Sequence, residues 1–141
     1  MSIWFRDYTV EELRARAKGS MTEHLGIELI EIGADYLRGR MPVDERTRQP
    51  GGYLHGGASV TLAETLGSVG AYLCVDPQKQ QVFGMAINAN HIRPVRTGYV
   101  EGIARPVHRG NNTQIWEIKI YDSQKKLVCV SRITLAVVKI P

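Results

Sequence analysis

Glu64 is the only formally charged side chain in a long apolar stretch of this sequence. Between Arg48 and Asp76 lie 27 residues, and Glu64 is the single acid or base among them. A carboxylate without a nearby cation is either held by backbone hydrogen bonds or placed where reactants can reach it. Enzymes use such a group as a nucleophile or as a general base toward water. Glu64 is therefore the first candidate for chemistry, and a purely structural role stays open.

The segment Leu54-His55-Gly56-Gly57 lies about two helical turns before Glu64. A helix that starts there presents unpaired backbone amides and the positive end of its dipole. Glycine allows close approach to those amides, which can hold a carbonyl oxygen as it becomes an oxyanion. A tight turn with His55 as a cap is the structural alternative. Gln49 could aim its amide into the same cavity, or it is an ordinary loop residue.

The elements that must position these groups follow from the spacing of apolar residues. Apolar side chains recur at three- and four-residue steps and predict one helix from about Gly57 to Leu73. Gly57, Thr61, Glu64 and Ser68 share one face of that helix, so they need polar partners or a wet cavity. A membrane span is excluded because an acid near its centre would be costly in lipid.

The rest of the chain predicts a short helix and six strands. Thr9-Val10-Glu11-Glu12 has the form of a capping box, with a helix to about Lys18 that Gly19 ends. A hairpin is expected over residues 26–43, and further strands over 81–92, 99–107, 114–121 and 127–138. We expect one α+β domain over residues 1–141: a curled antiparallel sheet, paired through short connections, around one long central helix. A second subunit is expected to cover part of the outer face of the sheet.

Composition excludes several classes of function. Eighteen Lys and Arg against 14 Asp and Glu give a net charge of +4, but both signs are interspersed, and we expect no nucleic-acid partner. Cys74 and Cys129 lie in apolar runs and are expected to be inert thiols rather than a disulfide or metal site. No spacing of ligands predicts a metal. The first residues lack the apolar core of a signal peptide, so we expect a cytoplasmic protein without a membrane anchor.

Two motifs together resemble a known family. They are Gln49-Pro50-x-x-x-Leu54-His55-Gly56-Gly57 and Ala63-Glu64-Thr65-x-Gly67-Ser68, and they resemble the hotdog-fold acyl-CoA thioesterases of the Arthrobacter-type 4-hydroxybenzoyl-CoA thioesterase branch. Ile87-Asn88-Ala89-Asn90-His91-x-Arg93 and Gln114-x-Trp116 are more similar still to bacterial members of menaquinone synthesis and of enterobactin proofreading. The resemblance extends from about Met1 to Val138, and it implies the hotdog fold.

The resemblance also implies roles for matching positions. Glu64 would be the nucleophile or the general base, and the Gly56 amide, with Gln49 and His55, would polarise the thioester carbonyl. Ser68 and Thr65 would support the attacking water or the carboxylate, and His91 would lie near the acyl group. The residues expected near the nucleotide end of CoA are Gly84, His91, Arg93, Pro94, His108, Arg109, Gly110, Asn111, Asn112 and Thr113.

Family sites form between two subunits, so the resemblance implies a homo-oligomer, a dimer of dimers, with no cofactor. The sequence departs from the family pattern at Gly51, where members often carry an aromatic residue. This difference leaves the shape of the acyl pocket open. Arg93, Arg96, Arg105 and Arg109 lie near strand ends and turns, where they meet CoA phosphates or simply face solvent.

The expected reaction is hydrolysis of an acyl-CoA thioester to a carboxylate and CoA. The acyl group would be aromatic, such as 1,4-dihydroxy-2-naphthoyl or hydroxybenzoyl, with promiscuity allowed. Proofreading of aryl-carrier-protein thioesters is one alternative. A hotdog dehydratase or hydratase that uses His55 with an acid is another. A non-catalytic acyl-CoA-binding regulator is disfavoured because the 141 residues carry no appended DNA-binding segment.

Overall fold

The computed structural model describes residues 1–141. In chain order the elements are α1 (Val10–Arg16), α2 (Met21–His24), β1 (Glu28–Ile32), β2 (Leu37–Pro42), α3 (Gly56–Leu73), β3 (Gln80–His91), β4 (Tyr99–Arg109), β5 (Thr113–Tyr121) and β6 (Leu127–Lys139). The predicted long helix and all six strands are confirmed to within a few residues. The single-turn helix α2 was not predicted.

Six strands form one antiparallel sheet in the order β1-β2-β4-β5-β6-β3. The expectation that neighbouring strands pair through short connections holds for every pair except β3 and β4. Strand β3 pairs instead with β6, from Gln80 opposite Lys139 to His91 opposite Cys129. The chain therefore crosses from one edge of the sheet to its middle through residues 92–98, and β3 is left as an edge strand.

Helix α3 lies against the concave face of the sheet because small residues let it approach closely. A side chain at Gly70 would come within 2.7 Å of the Trp116 ring, and one at Gly67 within 2.5 Å of Ile133. Trp116 is fully buried and donates its ring N–H to Gln114, whose own amide donates to the Ala71 carbonyl at the end of the helix. The Gln114-x-Trp116 motif thus fastens α3 to the sheet.

The N-terminal segment closes one side of the molecule. The predicted capping box is present: the Glu12 amide donates to the Thr9 hydroxyl, and the Thr9 amide donates to the Glu12 carboxylate. Helix α1 ends two residues earlier than predicted, and Gly19 follows with a φ of +76°. Leu13 anchors α1 against Leu37 and Leu73. No helix of the chain has both the length and the apolar character that crossing a bilayer requires.

Candidate active site

The first turn of α3 presents one free backbone amide. His55 is the residue before the helix, and its Nδ1 accepts a hydrogen bond of 2.8 Å from the Gly57 amide. The amides of Ala58 and Ser59 donate to the His55 carbonyl. The Gly56 amide has no partner in the chain, so it remains available to an oxygen atom at the positive end of the helix.

His91 lies over this helix start from the far end of β3. A Cβ at Gly56 would come within 2.9 Å of the His91 Nε2 atom, so a side chain there would have to displace the His91 ring. The imidazole and the free amide therefore border the same space.

A β-bulge explains why His91 faces the helix. Gly84 pairs with Leu135 but Ala86 pairs with Thr134, which leaves Met85 as an extra residue in β3. Before the bulge, even-numbered residues such as Val82 face the core, whereas after it Ile87 and Ala89 do. The bulge thus exchanges the two faces of the strand and brings His91 to the helix side.

A pocket of about 340 Å³ surrounds the free amide. Among its lining residues are Gln49 and Gly56, expected at the thioester carbonyl, His91, expected near the acyl group, and Arg93 and Pro94, expected near the nucleotide end of CoA. The side-chain oxygen of Gln49 accepts a hydrogen bond from the Gly51 amide in the same turn. The side-chain NH₂ of Gln49 therefore remains available as a donor. The other lining residues are Leu54, which belongs to the motif before α3, and Ile92, together with Tyr53, Ser59 and Val128, which the sequence analysis missed. A tyrosine inside a glycine-rich loop was the available signal for Tyr53.

Glu64 lies at the middle of α3 and makes no hydrogen bond or ion pair within the chain. Its carboxylate rests against the backbone of β3, where a Cβ at Gly84 would come within 2.7 Å of Oε2. Gly84 therefore leaves room for the carboxylate. The structural alternative, in which backbone donors hold Glu64, does not apply to this arrangement.

The polar residues around Glu64 differ in how free they are. The Thr61 hydroxyl donates to the Gly57 carbonyl, and the Thr65 hydroxyl donates to the Thr61 carbonyl. The Ser68 hydroxyl has no hydrogen-bond partner. Ser68 is thus the hydroxyl on this face that stays available to a bound molecule.

Glu64 and Gly56 are too far apart in one chain to act on the same carbonyl group. Glu64 comes eight positions after Gly56 in α3, which corresponds to a rise of about 12 Å along the helix axis. A nucleophile and an oxyanion donor must both lie about 3 Å from the reacting carbonyl. One chain therefore carries two half-sites: Gln49, His55, Gly56 and His91 form one around the helix start, and Glu64 lies in the other.

The residues expected near CoA divide in the same way. His91, Arg93 and Pro94 lie at the sheet end beside the helix start. His108, Arg109, Gly110, Asn111, Asn112 and Thr113 form the β4–β5 hairpin at the opposite end. Their partners on β6 are seven residues apart, so about 23 Å separates the two groups.

The hairpin lies in line with the Glu64 half-site. Arg109 pairs with Gln114, Gln114 with Leu135, and Leu135 with Gly84, so the four residues form one row across the sheet. Arg109 has no acidic partner, whereas Arg93 donates to the Leu127 carbonyl and Arg105 pairs with Asp35. The Arg109 guanidinium lies beside the Cys74 thiol, and among these three cations it is the one without a carboxylate or carbonyl partner.

The two cysteines are unreactive by environment, as expected. Burial raises the pKa of Cys74 to about 11, although the nearby Arg109 guanidinium opposes part of the shift. Burial also raises the pKa of Cys129. Both thiols are therefore less ionised at neutral pH than a free cysteine.

A six-stranded antiparallel sheet curled around one helix, with a free amide at the helix start and an unpaired acid on the helix, is typical of a hotdog-fold thioesterase. Comparison with known proteins agrees. The thioesterase superfamily matches residues 51–129. The 1,4-dihydroxy-2-naphthoyl-CoA hydrolase of Escherichia coli (strain K12) is 50% identical over 135 residues, which are 96% of this chain and 98% of that protein.

Other relatives give the same result. The proofreading thioesterase EntH of Cronobacter turicensis is 50% identical to this chain, and the match again covers 96% of this chain and 98% of that protein. The solved structure of thioesterase HI1161 from Haemophilus influenzae has a TM-score of 0.94 at 47% identity, with 97% of this chain and 95% of that chain covered. This chain belongs to the thioesterase superfamily: it has the hotdog fold and is a thioester hydrolase.

Proposed function

We propose that the protein hydrolyses aromatic acyl-CoA thioesters at a site shared by two copies of the chain. Glu64 of one copy would face the Gly56 amide of the other. The observation that carries the proposal is the separation of about 12 Å between an unpaired acid and a free amide on one helix. One half-site has the amide but no acid, and the other has the acid but no amide. A second copy related by a two-fold axis would bring the two kinds together and form two complete sites.

Strand β3 supports association of two copies. It is a 12-residue edge strand, longer than most, and an unpaired edge of this kind pairs readily with another strand. Phe83 and Met85 on this strand are more than half exposed. Both Gly84 and His91 lie on the same strand, so an interface there would bring the two half-sites together. A dimer of such dimers is the assembly that the family resemblance implies.

The proposed chemistry needs one carboxylate and one oxyanion site. In one form, Glu64 attacks the thioester carbonyl carbon, the carbonyl oxygen becomes an oxyanion held by the Gly56 amide, and collapse expels the CoA thiolate. Water then hydrolyses the acyl–Glu64 anhydride. In the other form, Glu64 takes a proton from water, whose oxygen attacks the same carbon. A thiol with a pKa near roughly 8.5 leaves without a strong general acid, so both forms are feasible.

Two relatives' names guide the choice of substrate. One hydrolyses 1,4-dihydroxy-2-naphthoyl-CoA, and the other is a proofreading thioesterase. We propose a hydroxylated aromatic acyl-CoA as the main substrate class, with aryl-carrier-protein thioesters as the alternative. A cytoplasmic location and a step of menaquinone synthesis belong to the same proposal.

The test is thiol release from benzoyl-CoA, 4-hydroxybenzoyl-CoA and a 2-naphthoyl-CoA, measured with wild type and with the Glu64→Gln variant. We expect turnover by wild type and a loss of at least roughly 100-fold in kcat for the variant, because the substitution keeps the shape but removes the charge. Thr61→Val, one turn away on the same helix face, is the matched control. Equal rates for wild type and Glu64→Gln would exclude Glu64 from the mechanism. Hydration of an enoyl-CoA without thiol release would favour a hydratase.

A further inference from the structure

A single hydrogen bond joins the turn that carries Gln49 to the rest of the chain. Residues 49–53 form this turn before α3: the Gln49 amide donates to the Tyr53 carbonyl at 2.7 Å, and the Gly52 amide donates to the Gln49 carbonyl at 2.9 Å. Gly52 has a φ of +89°, which glycine adopts without strain. The only hydrogen bond from the turn to residues outside it runs from the Arg96 guanidinium to the Tyr53 hydroxyl, at 2.6 Å.

Arg96 contacts Tyr53 in a second way. Besides the hydrogen bond, its guanidinium lies 4.2 Å from the centre of the Tyr53 ring, within the range of a cation–π contact. Arg96 forms no ion pair, so no acid draws the guanidinium away from the ring. The two contacts together restrain both the hydroxyl end and the face of the Tyr53 side chain.

The backbone beneath Arg96 is itself anchored to the chain on either side of the turn. The Arg48 Nε atom donates to the Arg96 carbonyl at 3.0 Å, and the Leu54 amide donates to the Val95 carbonyl at 2.7 Å. Arg48 and Leu54 also form an isolated β-bridge at the base of the turn. Val95 is buried. Arg96 therefore projects from a fixed backbone, and its side chain reaches out to the turn.

The Gln49 side chain moves with the turn. Its oxygen accepts a hydrogen bond from the Gly51 amide, so the direction of its NH₂ group depends on the backbone of the turn. Gln49 and Tyr53 both line the pocket around the free Gly56 amide. An oxyanion donor must lie about 3 Å from the oxygen atom, and a misplacement of about 1 Å can cost a large part of the rate. Freedom in the turn would therefore displace the Gln49 donor.

We infer that Arg96 and Tyr53 are positioning residues: they hold the turn so that the Gln49 NH₂ group donates to the same carbonyl oxygen as the Gly56 amide. The inference rests on the proposed thioester hydrolysis, in which that oxygen becomes an oxyanion. Both residues act through Gln49 rather than on the reacting atoms. The hydrogen bond that they align matters most in the transition state, so its loss lowers kcat with little change in KM.

The first test is a double-mutant cycle between Arg96 and Gln49, with whichever of the three acyl-CoA thioesters above wild type turns over fastest. Gln49→Ala should lower kcat roughly 100-fold, the worth of one oxyanion donor. Arg96→Ala should lower kcat at least roughly 5-fold and change KM less than about 2-fold. In the Gln49→Ala background, Arg96→Ala should have no further effect, because the group that it positions is already gone. Arg46→Ala is the matched control and should keep the wild-type kcat, since Arg46 pairs with Asp44.

The outcomes separate this inference from the proposed function. Equal losses from Arg96→Ala in the wild-type and Gln49→Ala backgrounds would overturn it, and so would a wild-type kcat for Arg96→Ala. A rise in KM for the acyl-CoA but not for the acyl-pantetheine, at unchanged kcat, would assign Arg96 to phosphate binding instead. Should Arg96→Ala unfold, the same cycle with Tyr53→Phe, which removes only the hydroxyl, decides the question. A wild type that turns over no thioester would overturn the proposed function, and this inference with it.

The second test follows the turn itself by hydrogen–deuterium exchange. In Arg96→Ala the amides of residues 49–53 should exchange at least roughly 5-fold faster than in wild type, because the hydrogen bonds within the turn open more often. The amides of α3 should keep their wild-type rates, which distinguishes release of the turn from a general loss of stability. Wild-type exchange of residues 49–53 in a variant with lowered kcat would contradict positioning through the turn.

Discussion

At the scale of single residues, the site depends on groups that the rest of the chain leaves unpaired. The Gly56 amide, the Glu64 carboxylate and the Ser68 hydroxyl have no partner within the chain, although neighbouring groups of the same kind do. A polar group left without a partner in a folded chain is costly unless a ligand or water satisfies it. These three groups are half-buried, so they remain available to water or to a ligand.

Arg109 offers a test of where the nucleotide end of CoA binds. The Arg109→Ala variant should raise KM for an acyl-CoA roughly 10-fold, because it removes a cation available to phosphate oxygens. KM for the corresponding acyl-pantetheine, which lacks the nucleotide, should not change. Arg105→Ala on the same strand is the control, since Arg105 already pairs with Asp35. A matching rise in KM for both substrates would contradict a role for Arg109 in nucleotide binding.

The thiols give a prediction in pH. With the pKa of Cys74 raised to about 11, only about one thiol in a thousand is ionised at pH 8, compared with roughly a quarter for a free cysteine. Native protein at pH 8 should therefore react with iodoacetamide far more slowly than urea-unfolded protein, and the rate should rise as the pH approaches 11. Mass spectrometry of timed samples measures this. Rapid labelling of the native protein at pH 8 would contradict the burial of both cysteines.

At the scale of elements, the capping box fixes the start of α1. Thr9→Ala removes the hydroxyl that accepts a hydrogen bond from the Glu12 amide. We therefore expect the free energy of unfolding to fall by about 1 kcal/mol. Thr9→Ser keeps the acceptor and should stay close to wild type. Urea titration followed by circular dichroism compares the three proteins. Equal destabilisation by both substitutions would show that the box does not hold α1.

Some features of the elements could be predicted from the sequence alone, and others could not. The spacing of apolar residues sufficed for α3 and the six strands, and Thr9 with Glu12 sufficed for the start of α1, because these signals are local. The pairing of β3 with β6 and the bulge at Met85 were not predictable. Both depend on contacts between residues far apart in the chain. The position of His91 over Gly56 is a consequence of that bulge. The motif that contains His91 marked it as a candidate site residue, but the alternation of residues along the strand did not place it over the helix.

At the scale of the whole molecule, the proposed site requires at least two chains. The half-site around Gly56 and the half-site around Glu64 lie too far apart to cooperate within one copy, and the free edge of β3 offers a surface for the second. The protein should therefore have a mass in solution of at least twice 15.8 kDa, measured by light scattering after size-exclusion chromatography. An active monomer would contradict the shared site.

The most direct test of the shared site mixes two inactive chains. Gly56→Val places a side chain against His91 and blocks the helix start, and Glu64→Ala removes the acid; each variant alone should keep less than about 1% of wild-type thioesterase activity. In a two-fold dimer that pairs one chain of each kind, one site carries both defects and the other carries none. Random mixing, followed with two affinity tags, should therefore restore about a quarter of wild-type activity. Mixed oligomers that form but stay inactive would contradict a site built from Gly56 of one copy and Glu64 of the other.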